Sequence, residues 1–439
     1  MKMKIRNEFY KMVAVAVICL AGTARAAAQD SLVTYIAVAI RNNPAVIGAY
    51  QAYRAQVEAA AGAGILADPE LTVGVYPSPM ENVNVKQLAT FTVMQMFPWF
   101  GSLKADREQM TYKAESVYQK FRADGIALAY QMQQQWYDML AVQEKIRSVE
   151  DKLQLLKEIE RVSLVQYKSP AMAMKAKMSD QFRLQAEEAK LEEQIASLRD
   201  QLRLQQDRFN LTMHRKVGTP LVIPDSITLR EMPLIAWEDV ERNDPTLNRL
   251  QADAKSYVLQ GEKAKLMGRP MFGVGLQYML NGTVMTPHMA DMNGKDMLMP
   301  MLKMTIPVYR KKINAARRSA DLMRQSTEFG YQRQQDALTE QYLSITQRAA
   351  DVKRKIDLYD REVGILNHTL QLMTAEYANG SSSLTDILQT TREQIDYALK
   401  KAEAYAQYNT IVAEYEKLAS RYDYAQRSQT LRKQQTDKK

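Results

Sequence analysis

Methionine is the residue type with the most chemistry to offer in this chain. There are 26, and nine fall between Met271 and Met304. Met285, His288, Met289 and Met292 have spacings that would share a helical face, although Pro287 and Gly294 argue against a continuous helix there. In strand alternation Met297, Met299 and Met301 point one way while Leu298 and Leu302 point the other. Thioethers are soft, neutral ligands suited to Cu(I) or Ag(I). Methionine also serves as generic packing, so these seven residues are metal candidates and not a firm site.

Nothing else in the chain is arranged for catalysis. The three histidines, His214, His288 and His368, have no paired spacing of the kind zinc needs. No nucleophile–base–acid set stands out, and no cofactor motif is present, so the reading is neither an enzyme nor a cofactor protein. Asn210, Asn281 and Asn367 each open a glycosylation-type triplet, a pattern of little weight alone. Ser383-Leu384-Thr385-Asp386 matches a helix-capping pattern.

The formal charge of +9 suggests nucleic acid until it is divided along the chain. The first 28 residues hold five basic residues and one acidic, and 425–439 hold the same numbers. The body is nearly neutral, so no basic face remains for a phosphate backbone. The first 28 residues read as a secretory signal: a basic start, an apolar core from Met12 to Gly22, and small residues around Ala24 to Ala28. Cys19, the single cysteine, lies inside it, preceded by Ile18 where a lipoprotein signal wants a small residue. Beyond the signal no apolar run is long enough for a membrane helix, but a secreted chain can also enter a membrane as a closed β-barrel.

The elements that position these residues come in two copies. Asn42-Asn43-Pro44 recurs as Asn243-Asp244-Pro245, and Pro69 as Pro270. Phe97-Pro98-Trp99 recurs as Ile306-Pro307-Val308, and Tyr167 as Tyr377. The offset grows from 201 to 210, which places an insertion between the two strands of the second copy. Val352, Ile356, Tyr359, Val363, Leu366, Leu370, Met373 and Tyr377 alternate spacings of four and three. Val142, Ile146, Val149, Leu153 and Leu156 keep the same register 210 positions earlier. That period marks a left-handed coiled-coil seam.

Each copy is predicted to run helix, strand, strand, very long helix, tip turn, returning helix. The short helices are expected at 45–64 and 246–267, the long ones at 101–167 and 311–377, and the returning ones at 172–212 and 383–423. Leu71, Val73 and Val75, and again Phe272, Val274, Leu276 and Tyr278, alternate with polar or small residues, as in a barrel wall. A further strand at Thr90 to Met96 alternates poorly and reads as the weaker one. Tyr76 and Tyr278 at one end, and Trp99, Phe100 and Tyr309 at the other, suit interfacial aromatic belts. Four strands cannot close a barrel, so several chains must share one. The proline-punctuated segment 217–237 is expected to form a small mixed collar at the equator.

Two strands per repeat with very long helices resemble the outer-membrane efflux protein family, the TolC-like proteins. The most specific match is Tyr377-Ala378-Asn379-Gly380 followed by Leu384-Thr385-Asp386-Ile387-Leu388, which looks like the family's tip motif; Pro98 and Pro307 after the strands also match. The resemblance covers about Leu32 to Tyr422. It implies a mainly α fold with membrane β: a long antiparallel coiled-coil barrel, with four strands per chain completing a trimeric twelve-stranded outer-membrane β-barrel. It implies a homotrimer in outer-membrane lipid, a periplasmic helical domain, and a periplasmic adaptor and an inner-membrane pump or transporter as partners. The function implied is a passive exit duct for efflux or type I secretion in a Gram-negative bacterium. It assigns Asp386, Gln389 and Tyr377 to a periplasmic gate. Tyr167, Ser169, Pro170, Gly380, Ser381 and Ser382 become adaptor-docking tips. The first tip departs from the pattern, with Pro170 where glycine is usual, and Gln389 stands where TolC carries a second aspartate. The expected organisation is a signal at 1–28, repeats at 29–216 and 238–424, a linker at 217–237 and a polar tail at 425–439. The competing reading is a soluble periplasmic coiled-coil protein with no pore.

Overall fold

The computed structural model describes residues 27–78, 86–168, 178–285, 293–379 and 381–420. The signal region up to 26 and the tail from 421 lie outside them. The elements are α1 (Ala27–Asn42), α2 (Pro44–Gly62), β1 (Glu70–Val75), β2 (Lys86–Phe97), α3 (Ser102–Lys168), α4 (Met178–Thr212), α5 (Trp237–Asn243), α6 (Pro245–Leu266), β3 (Met271–Gly282), β4 (Met297–Thr305), α7 (Arg310–Ala378) and α8 (Leu384–Leu418). With 67 and 69 residues, α3 and α7 are each about 100 Å long.

Residues 50–120 and 246–334 form one compact unit, and the rest of the chain forms another. The first unit carries the sheet, whose strand order is β1-β2-β3-β4, antiparallel throughout. Pro98 follows β2 and Pro307 follows β4 closely; proline offers no N–H to a ladder and ends pairing there. Gly64, in the turn leading to β1, has φ +69, and a Cβ there would lie 2.3 Å from the Leu103 carbonyl oxygen. Only glycine fits that approach.

The second unit is helical and has two apolar cores. One packs Leu32, Ile36, Trp136, Phe209, Met213 and Ala413 together, with Tyr35 set edge-on to Phe209. The other contains Val142, Ile146, Val149 and Leu156 from α3, Leu184, Leu191 and Ile195 from α4, Leu370 and Tyr377 from α7, and Ile387 and Ile395 from α8. Two antiparallel hairpins thus share one seam, because every fourth or third residue of each helix is apolar.

Three expectations change. Two helices were passed over: α1, whose buried Leu32, Ile36 and Ala39 form a helical stripe, and the short α5. At the break between α1 and α2, Asn43 Oδ1 accepts the N–H of Ala45 at 2.9 Å. The returning helix α8 ends at Leu418, not 423, in a turn with Ser420 at φ 53. The strand read as weaker is a central strand of twelve residues, paired on both sides; its alternation fails at Met94, Gln95 and Met96, which fall out of step with Phe91 and Val93, and it carries a register shift between Gln87 and Ala89.

The segment between Thr212 and Trp237 contains no helix or strand. Its polar backbone is held instead by side chains of the helices. Asn210 Nδ2 donates to the Thr219 carbonyl at 2.9 Å, and the Val222 N–H donates to Tyr35 Oη at 3.1 Å. Asn409 takes the Arg230 N–H at 2.9 Å and gives its own to the Thr228 carbonyl at 2.8 Å. Arg230 then makes two 2.8 Å bonds to the buried Glu416 carboxylate.

Candidate functional site

The sheet divides its residues cleanly by face. Cross-strand partners share a face, and the register places Leu71, Val93, Leu276 and Pro300 in one row and Val73, Phe91, Tyr278 and Leu298 in the next. Val75, Phe97, Phe272, Val274, Leu280, Leu302 and Met304 complete an apolar face that stays exposed, with Leu302 at 88%. Two polar residues also lie on this face: Lys86, opposite Gly282 at the end of β2, and Gln95, which turns its amide to the carbonyls of Ala67 and Met96 at 2.8 and 3.1 Å. The opposite face carries Thr72, Thr90, Thr92, Gln277, Asn281 and Lys303, with Gly74, Gly273 and Gly275 and seven methionines. A soluble chain rarely exposes so continuous an apolar patch, whereas a membrane wall requires one.

Aromatic residues gather at the α3 end of the sheet. The rings of Trp99 and Phe272 are 5.9 Å apart, and the Arg269 guanidinium lies 5.9 Å over Trp99. Phe100 and Tyr309 stand exposed beside them at 84% and 87%. Strands β1 and β4 are the sheet's edges, each with one neighbour among the described residues.

At the far end of the hairpins, side chains tie the two together. Tyr377 is buried, and its Oη is 3.1 Å from Ser163 Oγ on α3. Burial pushes the Tyr377 hydroxyl above its ordinary range, so it stays a neutral donor. Arg183 on α4 donates to Thr385 Oγ1 on α8 at 3.0 Å. Glu187 occupies a seam position of α4 between Leu184 and Leu191, and Arg392 of α8 bonds both its oxygens at 2.9 and 2.6 Å. Those bonds hold the Glu187 carboxyl below the usual carboxylate range against the opposing effect of burial, and Lys190 at 3.7 Å adds to them.

No protein-family model and no curated sequence matches the chain. Solved structures do. The chain is similar to CusC, in crystal structures concerned with transmembrane channel formation, with TM-score 0.72 and 14% identity over 91% of this chain and 95% of that one. It is similar to the outer membrane protein VceC of Vibrio cholerae, with TM-score 0.71 and 12% identity over 89% and 96%. For the CmeC outer membrane channel of Campylobacter jejuni the values are 0.70 and 11%, over 89% and 85%. The fold is that of the TolC-like outer-membrane channels.

Within this channel fold the residues singled out from sequence fall into three groups. Asp386 and Gln389 are exposed on the first turns of α8, and Tyr377 is buried nearby in the seam. Ser383 holds the N-cap position of α8, yet its hydroxyl makes no capping bond. The Asp386 carboxylate has no hydrogen-bond or ion-pair partner among the described residues, so the helix start does not occupy it. Tyr167 is exposed, and the Ser381 N–H donates to the Glu376 carbonyl at 2.9 Å, with the partly exposed Ser382 beside it. Ser169, Pro170 and Gly380 lie outside the described residues.

The methionine candidates divide likewise. Met285 sits in a bend, fully exposed, while His288, Met289 and Met292 lie outside the described residues. Met297, Met299 and Met301 share the face opposite Leu298 and Leu302. Among the described residues no group of three His, Cys, Asp or Glu could hold a metal ion. Sequence reasoning missed Glu187, Arg392 and Arg183. A glutamate in a heptad seam was the available signal, and it was masked because α4 carries four glutamates in two adjacent pairs, Glu187 with Glu188 and Glu192 with Glu193. It also passed over Met94 and Met96 on β2.

Proposed function

We propose that the protein is a passive outer-membrane exit duct, assembled as a trimer whose twelve strands close one barrel. The observation that carries this reading is the sheet. Four strands with two open edges and one continuous exposed apolar face are incomplete alone. Three copies joined edge to edge would satisfy both edges and turn the apolar faces to lipid. A pore-free soluble coiled coil would have no use for that face. The similar solved structures are channels and not enzymes, which supports the same reading.

The long hairpins would then form the periplasmic part, with the tip around Tyr377 and Asp386 as its gate. Three Asp386 carboxylates brought to a threefold axis would make an anionic ring that favours cations. Gln389 in the next turn would make that ring weaker than two stacked acidic rings. The tips near Tyr167 and Ser381 would dock a periplasmic adaptor, with an inner-membrane pump driving export and no cofactor needed in this chain. Reconstitution tests the duct directly: the detergent-solubilised protein should conduct ions across a planar bilayer. Crosslinkers at Ser169 and Ser381 should capture the adaptor, whereas capture only from equatorial sites would overturn the docking assignment.

A further inference from the structure

The polar face of the sheet holds a cluster of thioethers that the duct reading does not use. Met94 and Met96 of β2 stand opposite Gly275 and Gly273 of β3. Their sulfurs fill the room the glycines leave. Met96 Sδ lies 2.5 Å, and Met94 Sδ 3.2 Å, from the point where a Cβ on Gly273 would sit. Met94 Sδ is also 3.0 Å from the corresponding point on Gly275. The two sulfurs therefore converge on one small area. Met301 of β4 stands on the other side of Gly275 in the same cross-strand row. Met94 and Met301 are two strands apart, but with no side chain on Gly275 nothing in that row stands between them, and both are long, flexible side chains that can lean over the gap. All three methionines are partly buried, whereas Met297 and Met299 on the same face are exposed.

We infer that Met94, Met96 and Met301, gathered over the Gly273–Gly275 gap, form a binding site for a soft monovalent d10 cation, Ag(I) or Cu(I). Thioethers are neutral and polarisable. They are poor ligands for hard divalent ions but good ones for soft cations, and two or three neutral sulfurs suit a singly charged ion. Sulfur on this face is already directed at a polar partner elsewhere, since Gln87 Nε2 lies 3.6 Å from Met279 Sδ. One feature opposes the ion: Lys303 pairs with Gly273, and its Cβ lies 3.2 Å from the same point as the two sulfurs. A lysine so close weakens cation binding and makes a multiply charged ion still less favourable. The site depends on the sheet register alone and not on barrel closure, so silver binding and ion conductance can fail independently.

The test uses the full chain in detergent with Ag(I) as the probe. Titration should show Ag(I) bound with sulfur-only coordination in its X-ray absorption spectrum. The triple substitution Met94→Leu, Met96→Leu and Met301→Leu should weaken binding at least tenfold, while Met297→Leu with Met299→Leu changes it less than twofold. Lys303→Gln should tighten binding several-fold. Unmodified protein gives a second readout that does not depend on a variant folding. Ag(I) should protect Met94, Met96 and Met301 from peroxide oxidation, leaving Met297 and Met299 reactive. Equal affinity in the triple variant, nitrogen or oxygen coordination, or no selective protection would overturn the assignment.

Discussion

Glu187 on α4 and Arg392 on α8 form a two-pronged ion pair, with bonds of 2.9 and 2.6 Å, inside the seam that joins the two hairpins. Arg392 is more than half exposed, but Glu187 is almost fully buried. Removing the arginine therefore leaves a buried carboxylate short of its partner, a change of about 1–3 kcal/mol. Arg392→Ala and Glu187→Gln should each loosen the tip and raise single-channel conductance several-fold. Conductance equal to that of the unmodified protein would show that this pair does not hold the tip.

The same pair sets a pH dependence. Hydrogen bonds from Arg392 keep Glu187 below its ordinary carboxylate range, with Lys190 assisting and burial opposing. A lowered folded-state pKa contributes stability that is present above the unfolded value, about 4.3, and is lost as pH falls through the folded one. Around the pair, Arg183 lies one turn away on α4 and Thr385 one turn or more away on α8. Conductance should thus stay flat from neutral pH down to about 5. It should rise only in stronger acid, and the Glu187→Gln variant should lack that rise.

Asp386→Asn separates charge from structure at the start of α8. No capping bond forms there, so unfolding stability should move by less than about 0.5 kcal/mol. Under the gate reading, cation selectivity and block by polyvalent cations should both fall. Unchanged selectivity in a well-folded variant would remove Asp386 from the gate.

The two faces of the sheet should respond oppositely to charge. Leu276→Lys places an ammonium on the apolar face, at a cost of about 2–4 kcal/mol near a bilayer midplane. Gln277→Lys, the neighbouring residue on the other face, should be tolerated. Membrane-fraction yield of assembled protein measures both, and equal tolerance would contradict a lipid-facing sheet.

Between Thr212 and Trp237 the chain depends on side-chain anchors, chiefly Arg230 on Glu416. Both side chains are mostly buried, with relative exposures of 18% and 7%. Glu416→Ala should lower stability by about 3 kcal/mol by stranding the arginine. A thermal melt reads this, and susceptibility to proteolysis within 217–236 should rise with it.

Much of the architecture was legible in the residues because it rests on period. Heptads such as Val352 to Tyr377 and alternation such as Phe272 to Tyr278 repeat over enough positions to outweigh local noise. What was missed depends on partners far away in sequence. The strand β2 alternates poorly because Gln95, its amide satisfied, sits on the apolar face while Met94 and Met96 sit on the other, yet pairing on both sides fixes it. Glu187 looks like a surface residue until Arg392, 205 positions away, is seen to neutralise it. Met94 and Met96 carry no signal in their own strand. Their convergence appears only when β3 brings two glycines beneath them. The proline-rich segment 217–236 has no period to read, since its hydrogen bonds are made to side chains rather than to a ladder.

In the proposed duct, one chain supplies a third of a membrane barrel. Mass measurement of the detergent-solubilised protein, with planar-bilayer recording on the same sample, tests it most directly. The account predicts a complex of three chains that inserts and gives discrete conductance steps. A monodisperse monomer, soluble without detergent and silent in the bilayer, would contradict it.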